Sequence, residues 1–496
     1  MRAAVTWVCA VAAAGGAACG SSRTPRDVLT DGGVVRPGDY ADPLVHLGRL
    51  DTSTFIEIGE VRARDDGLVL FCTGVQGMNV VDASDPGDMK LLRRLASSRS
   101  SGQYPRCQHV AVDGDVAYMA SRGDEIQPTP FVAAFDLARD GAEIATFVRD
   151  ATTFEGMDAA GTMLYVAAHD KGLLVLERTA TGLVERGVAT GLTNAWGVDV
   201  DPARQIAFVA DGAGGLAAVD VSSPASPAVV GRVDFDGAAM MVQVVGDVAY
   251  VAASQAGLVA VDISDPRALR VLSVTDTPGT ALELAVSGGH AFVADWNDVR
   301  AFDVSDPAHP ALLATERIDV SGGFPRVLGV GAYGDYAFAG EWTGLHALQL
   351  FPDRVAPDLW VGEREIDFGV VPVGDEDAVA VAIENQGRAR LAVWSIETTD
   401  RRFSVDRDQV VVEPGQVAVV EVRVRPDGDA EVRGQLKLLS DDPDDGERTI
   451  DLRVNRPGVG VGDPAPEVAV QLLDGGQWRL SDHAGQVVLL AYFATF

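Results

Sequence analysis

A strand–turn–strand unit recurs seven times between residues 66 and 352. Its first half is an apolar strand between two turns. Examples are "DGLVLFCTGVQG" (66–77), "GDVAYMASRG" (114–123), "GDVAYVAASQAG" (246–257) and "GDYAFAGEWTG" (334–344). Its second half is another apolar strand, as in "LAAVDVSSP" and "LVAVDISDP". The equivalent acidic positions are Asp82, Asp136, Glu177, Asp220, Asp262 and Asp303, with Gln349 last, at spacings of 54, 41, 43, 42, 41 and 46. A period of this length, carrying strand signals and no helical periodicity, predicts four-stranded propeller blades, here seven. The longest interval holds an insertion, "SSRSSGQYPRC". The acids read as turn formers and not as catalysts. Asp and Ser bond their own backbone, and the following Pro stops the strand.

The "LVAVDISDP" units resemble the LVIVD-repeat propellers of bacterial surface proteins, over residues 45–352. That resemblance implies a fold and no particular chemistry. In a propeller the strand nearest the axis opens each repeat. Here those openings read "CQHVAV", "FEGMDAA", "AWGVDV", "MVQVVG", "LELAV" and "PRVLGV". They are expected to place Gln108, His109, Glu155, Trp196, Gln243, Glu283 and Arg326 near one mouth. A mixed polar and aromatic ring suits a small ligand, a protein or a glycan; the alternative is a solvated channel rim. The seven His residues are scattered, without an HExxH pair, so no metal or cofactor is expected, and His109 reads as a rim residue. "DDPDDGE" (441–447) is not an EF-hand loop: Pro443 stands where a ligand is needed, and Leu452 holds the twelfth position.

Residues 357–455 alternate apolar and polar positions between Gly, Asn and Pro turns, which predicts about seven strands in an immunoglobulin-like β-sandwich. The run "DFG…VG…N-x-G…PG…SDDP" resembles ASH/Hydin-type sandwiches of surface proteins. Asp367, Phe368, Gly369, Asn385 and Gly387 read as turn and core determinants.

After the linker, residues 462–496, "GDPAPEVAVQLLDGGQWRLSDHAGQVVLLAYFATF", resemble the opening of a thioredoxin-like redoxin. The resemblance implies a thiol or selenol nucleophile directly after Phe496, at a helix N-terminus that favours the thiolate. Three readings of that position are open: an incomplete piece, a truncation, or a UGA codon read as selenocysteine. The complete product is expected to reduce disulfides or peroxides, whereas residues 456–496 alone hold no complete active site.

The N-terminus has one basic residue, Arg2, then an apolar run from Ala3 to Ala14, as in a secretory signal. "GAAC" resembles a bacterial lipobox, which implies a lipoprotein signal peptide over residues 1–19, lipidation of Cys19 as the first mature residue and export to the periplasm or outer membrane. Residues 20–44 are rich in Ser, Pro, Gly and Asp and read as a flexible tether. Export permits a disulfide between Cys72 and Cys107; two buried thiols are the alternative. The net charge of −32 argues against nucleic acid as a partner. The chain is thus expected to be mainly β: a seven-bladed propeller, an immunoglobulin-like sandwich and a truncated thioredoxin-like α/β segment. Its expected role is either a lipid-anchored redoxin or a non-enzymatic surface protein that binds a protein or glycan.

Overall fold

A computed structural model of the chain describes residues 25–30, 33–52, 58–100, 105–123, 128–150, 152–318, 326–456, 468–471, 477–483 and 488. Cys19 and Phe496, with the expectations attached to them, lie outside these residues. Strands and short 3-10 turns make up the described secondary structure, with no α-helix among the described residues.

Among the described residues from Leu44 to Leu350, the strands pair into seven four-stranded antiparallel sheets, and the fold is that of a β-propeller. Six of them use four consecutive strands each, for example Met241–Val245, Val248–Ala252, Leu258–Asp262 and Arg270–Thr275. The two middle strands are buried continuously, because neighbouring sheets cover both of their faces. That is why they read as unbroken apolar runs. The acid ending the third strand folds back onto the chain. Asp220, Asp262 and Asp303 accept the N–H of Ser222, Ser264 and Ser305 at 2.9, 3.0 and 2.9 Å. These are the turns expected from Asp-x-Ser, and they fix the exit to the outer strand.

The remaining sheet joins the two ends of the propeller. Gly329–Tyr333, Tyr336–Gly340 and Gly344–Leu350 are completed by Leu44–Asp51, whose Leu44 pairs with Leu350. The segment over 20–44, expected as a tether, is anchored at several points of its described part, though most of its described residues face solvent. Val28 is fully buried against Ala392, Trp394 and Leu439 of the second domain. Gly38 N–H donates to Asp441 at 2.7 Å, and Phe351 N–H donates to Pro43 at 2.7 Å. Composition indicated a segment with no core of its own. It did not show that one valine docks on a neighbouring sheet.

Residues 359–454 form a β-sandwich of four and five strands around Val381, Ile383, Val393, Phe403, Val420, Leu436 and Ile450. Asn385, fully buried, donates to Ala389 O and Val412 O at 2.7 and 2.9 Å and accepts from Gly387 N–H at 3.1 Å. Beyond the sandwich, Ala469–Gln471 pairs with Gln477–Arg479, and a 3-10 turn Leu480–His483 follows.

Where propeller meets sandwich, Arg300 is 2% exposed. It bonds Asp295 at 3.0 Å and Asp298 at 3.2 Å in the propeller and Gln386 at 2.9 Å in the sandwich. Carboxyls outnumber cations at this joint. Burial pushes Asp298 and Asp42 up to about 6. Burial and the charge of Asp442 push Asp358 up to about 7, and burial holds Asp442 itself well above the usual range. Acids with raised folded-state values bind more protons folded than unfolded, so their ionisation costs stability as pH rises from about 4 through 7. His46, whose burial lowers it to about 4, acts in the opposite direction as a single group. The chain is therefore expected to melt at a higher temperature at pH 5.5 than at pH 8. A scanning-calorimetry series across that range checks the sign.

Candidate functional site

Seven inner strands surround the propeller axis: Ile58–Ala63, His109–Asp113, Met157–Ala160, Gly197–Asp201, Met241–Val245, Glu283–Ser287 and Gly329–Tyr333. Each packs on the next, and the last packs on the first. A repeated clasp holds them together, in which a side-chain oxygen accepts a backbone N–H from the following inner strand or, at Gly161, from the turn just after it. Glu60 takes Val110 N–H at 2.9 Å, Asp113 takes Gly161 at 2.6 Å, and Asp158 takes Val200 at 2.9 Å. Asp199 takes Val244 at 2.5 Å, Gln243 takes Val286 at 2.7 Å, and Glu283 takes Val330 at 3.1 Å. At the seventh junction Gly331 stands in this place, and a Cβ there would lie 3.0 Å from Ala63 N and Val61 O. Gly329 leaves room for Glu283, since a Cβ at 329 would meet the Glu283 carboxylate at 2.7 Å. Glu283 thereby reaches past its neighbour strand to Arg62 Nη1 at 3.0 Å, and Arg62 also pairs with Glu60. This bridge lies between two cavities of the channel.

The cavity nearer the mouth, ≈ 180 Å³, is lined by Glu60, Cys107, Gln108, His109, Arg122, Trp196, Met240, Met241, Leu282, Glu283 and Leu328, among others. Beside it Glu155, 1% exposed, gathers three basic groups. His109 Nε2 lies at 2.8 Å, His169 Nε2 at 2.5 Å, and Arg122 donates from Nε at 2.8 Å and from Nη2 at 2.5 Å. His109 Nδ1 is also 3.0 Å from Glu60. Burial opposes ionisation of Glu155, but bonds from His109 and His169 and the charge of Arg122 outweigh it, so its carboxyl is held below the usual range. Burial likewise opposes charge on His109, but Glu155 and Glu60 outweigh it and raise its value. Trp196 covers the cluster, with the His169 ring at 4.8 Å and the Arg122 guanidinium at 5.7 Å.

The second cavity, ≈ 200 Å³, is lined by Arg62, Asp158, Asp199 and Gln243 among others. Burial raises both Asp158 and Asp199, and the Asp158 charge adds to the rise at Asp199. Among the described residues no group of three or more His, Cys, Asp or Glu is placed to hold a metal ion.

The structure thus brings together Gln108, His109, Glu155, Trp196 and Glu283 from the sequence reading. It does not place Gln243 with them. Gln243 lies deeper along its strand, lining the second cavity and bonded in both directions to Val286. Arg326 also stands apart, with its guanidinium between the indoles of Trp296 and Trp342 at 4.9 and 5.0 Å. Sequence reasoning missed Arg122, His169, Glu60 and Arg62. Arg122 and His169 share one repeat position with Gly74, Gly212, Ser254, Trp296 and Trp342, just after the second strand. A turn position with such varied chemistry was the available signal.

Cys72 and Cys107 have their Sγ atoms at bonding distance and their Cα atoms 5.0 Å apart, across 35 residues of sequence. This links the first two sheets beside the mouth cavity. Cys72→Ser with Cys107→Ser is expected to cost about 2–4 kcal/mol through a freer unfolded chain. Urea unfolding with and without reductant checks it: reductant should lower the midpoint of the parent chain and leave the double variant unmoved.

A model for the LVIVD repeat matches residues 205–235, 236–277 and 278–317, and a HYDIN/CFA65/VesB-like, Ig-like domain model matches residues 357–455. No curated protein matches. Among solved structures, the beta-propeller domain of Cps50 (Swd1) from Myceliophteria thermophila is similar at TM-score 0.50 and 11% identity, over 62% of this chain and 100% of that one. The RRP9 WD40 repeats give 0.49 and 14%, over 64% and 100%. The chain is therefore a mainly β protein in which LVIVD repeats lie within a β-propeller and an Ig-like domain of the HYDIN/CFA65/VesB type follows.

Proposed function

We propose that the chain is a cell-envelope surface protein whose seven-bladed propeller binds a ligand or partner at its mouth, without chemistry of its own there. One observation carries this reading. The mouth has a cavity with an indole and a methionine wall beside a polar cluster in which Glu155 binds His109, His169 and Arg122. Its carboxylates and imidazoles are engaged with one another, so the cluster positions donors and offers no unengaged acid or base for proton transfer. The sandwich and the N-terminal strap act as the stalk. Lipidation at Cys19, export to the outer membrane or periplasm and the Cys72–Cys107 disulfide complete this reading.

The test is a thermal-shift screen of small molecules, short peptides and glycans on the full chain. A ligand that raises the melting temperature of the parent chain and not of Trp196→Ala supports binding at the mouth. Equal shifts in both contradict it.

A second reading rests on the resemblance of residues 462–496 to a redoxin opening; within them Ala469–Gln471 pairs with Gln477–Arg479. In this reading a thiol or selenol nucleophile reduces disulfides or peroxides. Intact mass of the native protein tests it. A product extended past Phe496 with Cys or selenocysteine next supports it, and a product ending at Phe496 removes it.

A further inference from the structure

We propose that the mouth cavity recognises a carboxylate group carried on a small apolar body. This deepens the binding reading above and rests on it. The argument is an account of the hydrogen-bonding capacity left over at the mouth. Arg122 has Nε and Nη2 engaged by Glu155, while its Nη1 has no partner among the described residues and its side chain is 38% exposed. The guanidinium lies against Trp196, which limits its swing. Gln108 uses its Oε1 to accept Arg122 N–H at 3.0 Å, which leaves its amide NH₂ as the spare group. Both spare groups are donors.

The acids on the cavity wall are already matched. Glu60 is held by Arg62, His109 and Val110 N–H, and Glu283 by Arg62 and Val330 N–H. A ligand donor would find no unmatched acceptor among these side chains, whereas a ligand carboxylate would find a guanidinium edge and an amide. A guanidinium suits a carboxylate better than a neutral acceptor, because a charged hydrogen bond is about twice as strong as a neutral one. The same acids stand close enough to disfavour a dianion, so a single negative charge fits best.

The opposite wall, Met240, Met241, Leu282 and Leu328, is apolar and takes the body of the ligand. At ≈ 180 Å³ the cavity is smaller than the roughly 300–1,000 Å³ that holds a drug-sized molecule, which restricts it to a small acid or to the last residue of a peptide.

The test is isothermal titration of the full chain at low salt with five compounds in three comparisons. 3-Phenylpropionate is compared with 3-phenylpropionamide and with phenethylamine, and an acetylated dipeptide ending in phenylalanine is compared with its C-terminal amide. The proposal expects an acid to bind at least tenfold tighter than its amide, the amine not to bind, and Arg122→Gln to remove the acid's advantage. Tight binding of the free acid alone identifies a small-molecule site, and equal binding of the peptide acid identifies a peptide C-terminus. If the amide or amine binds as well as the acid and Trp196→Ala abolishes that binding, the carboxylate proposal falls and the mouth reading stands. If acid binding survives Trp196→Ala unchanged, both fall. Should none of these bind, the carboxylate proposal falls. If Arg122→Gln does not fold, the acid–amide contrast on the parent chain decides alone.

Discussion

Arg300→Ala is expected to lower the stability of the chain by about 3–5 kcal/mol, the range for removing one partner of a buried ion pair. Arg300 is 2% exposed, and the two carboxylates it serves, Asp295 and Asp298, are 0% and 5% exposed. Alanine leaves both without their cation. It also removes the donor to Gln386 that ties the propeller to the sandwich. A cavity the size of a guanidinium side chain adds to the loss. The size of the effect should depend on pH. Burial already pushes Asp298 up to about 6, so at pH 5.5 it takes a proton more readily and the variant loses less than at pH 8. Urea unfolding at the two pH values measures both statements. Proteolysis between the domains, near 352–357, should accelerate in the variant.

Glu155→Gln is expected to cost about 3 kcal/mol, at the lower end of the same range because its partners reach solvent. Glu155 is buried, but Arg122 and His169 are partly exposed, with side chains at 38% and 28%. Without the carboxylate, His109 keeps Glu60 as its one anion, and Arg122 loses the contact that holds it against Trp196. His109 should then titrate lower, and an NMR pH titration of its ring reports that directly. A merely structural role for Glu155 would lower the melting temperature and leave the His109 titration in place.

The repeat was legible in the sequence because its signals are local. Strand pairs and Asp-x-Ser turns need neighbours only a few residues away, and Asp220, Asp262 and Asp303 make those turns as read. What escaped was non-local. Leu44–Asp51 completes a sheet with Gly344–Leu350, some three hundred residues on, and nothing in "LVHLGRLD" names that partner. Val28 gave no sign of its dock on Ala392 and Trp394 for the same reason. The mouth was partly legible. Gln108, His109, Glu155, Trp196 and Glu283 sit where inner strands begin, which the repeat phase fixes. Gln243 was misplaced by two residues along its strand. Residues two apart share a face but differ by about 6–7 Å in depth, and that is enough to move a side chain to the next cavity. Arg122 and His169 leave from the second strand and turn back to the axis. A search limited to first strands passes over them. Glu60 and Arg62 belong to an inner strand, Ile58–Ala63, whose repeat has no acid-rich turn before it to mark the phase.

The most direct test of the account is hydrogen–deuterium exchange on the full chain, with and without whichever ligand the screen yields. The account predicts slowed exchange at Gln108–Val110, Trp196–Gly197 and Met240–Met241, which surround one cavity and come from three separate inner strands. Protection confined to the sandwich, with the propeller mouth unchanged, would contradict it.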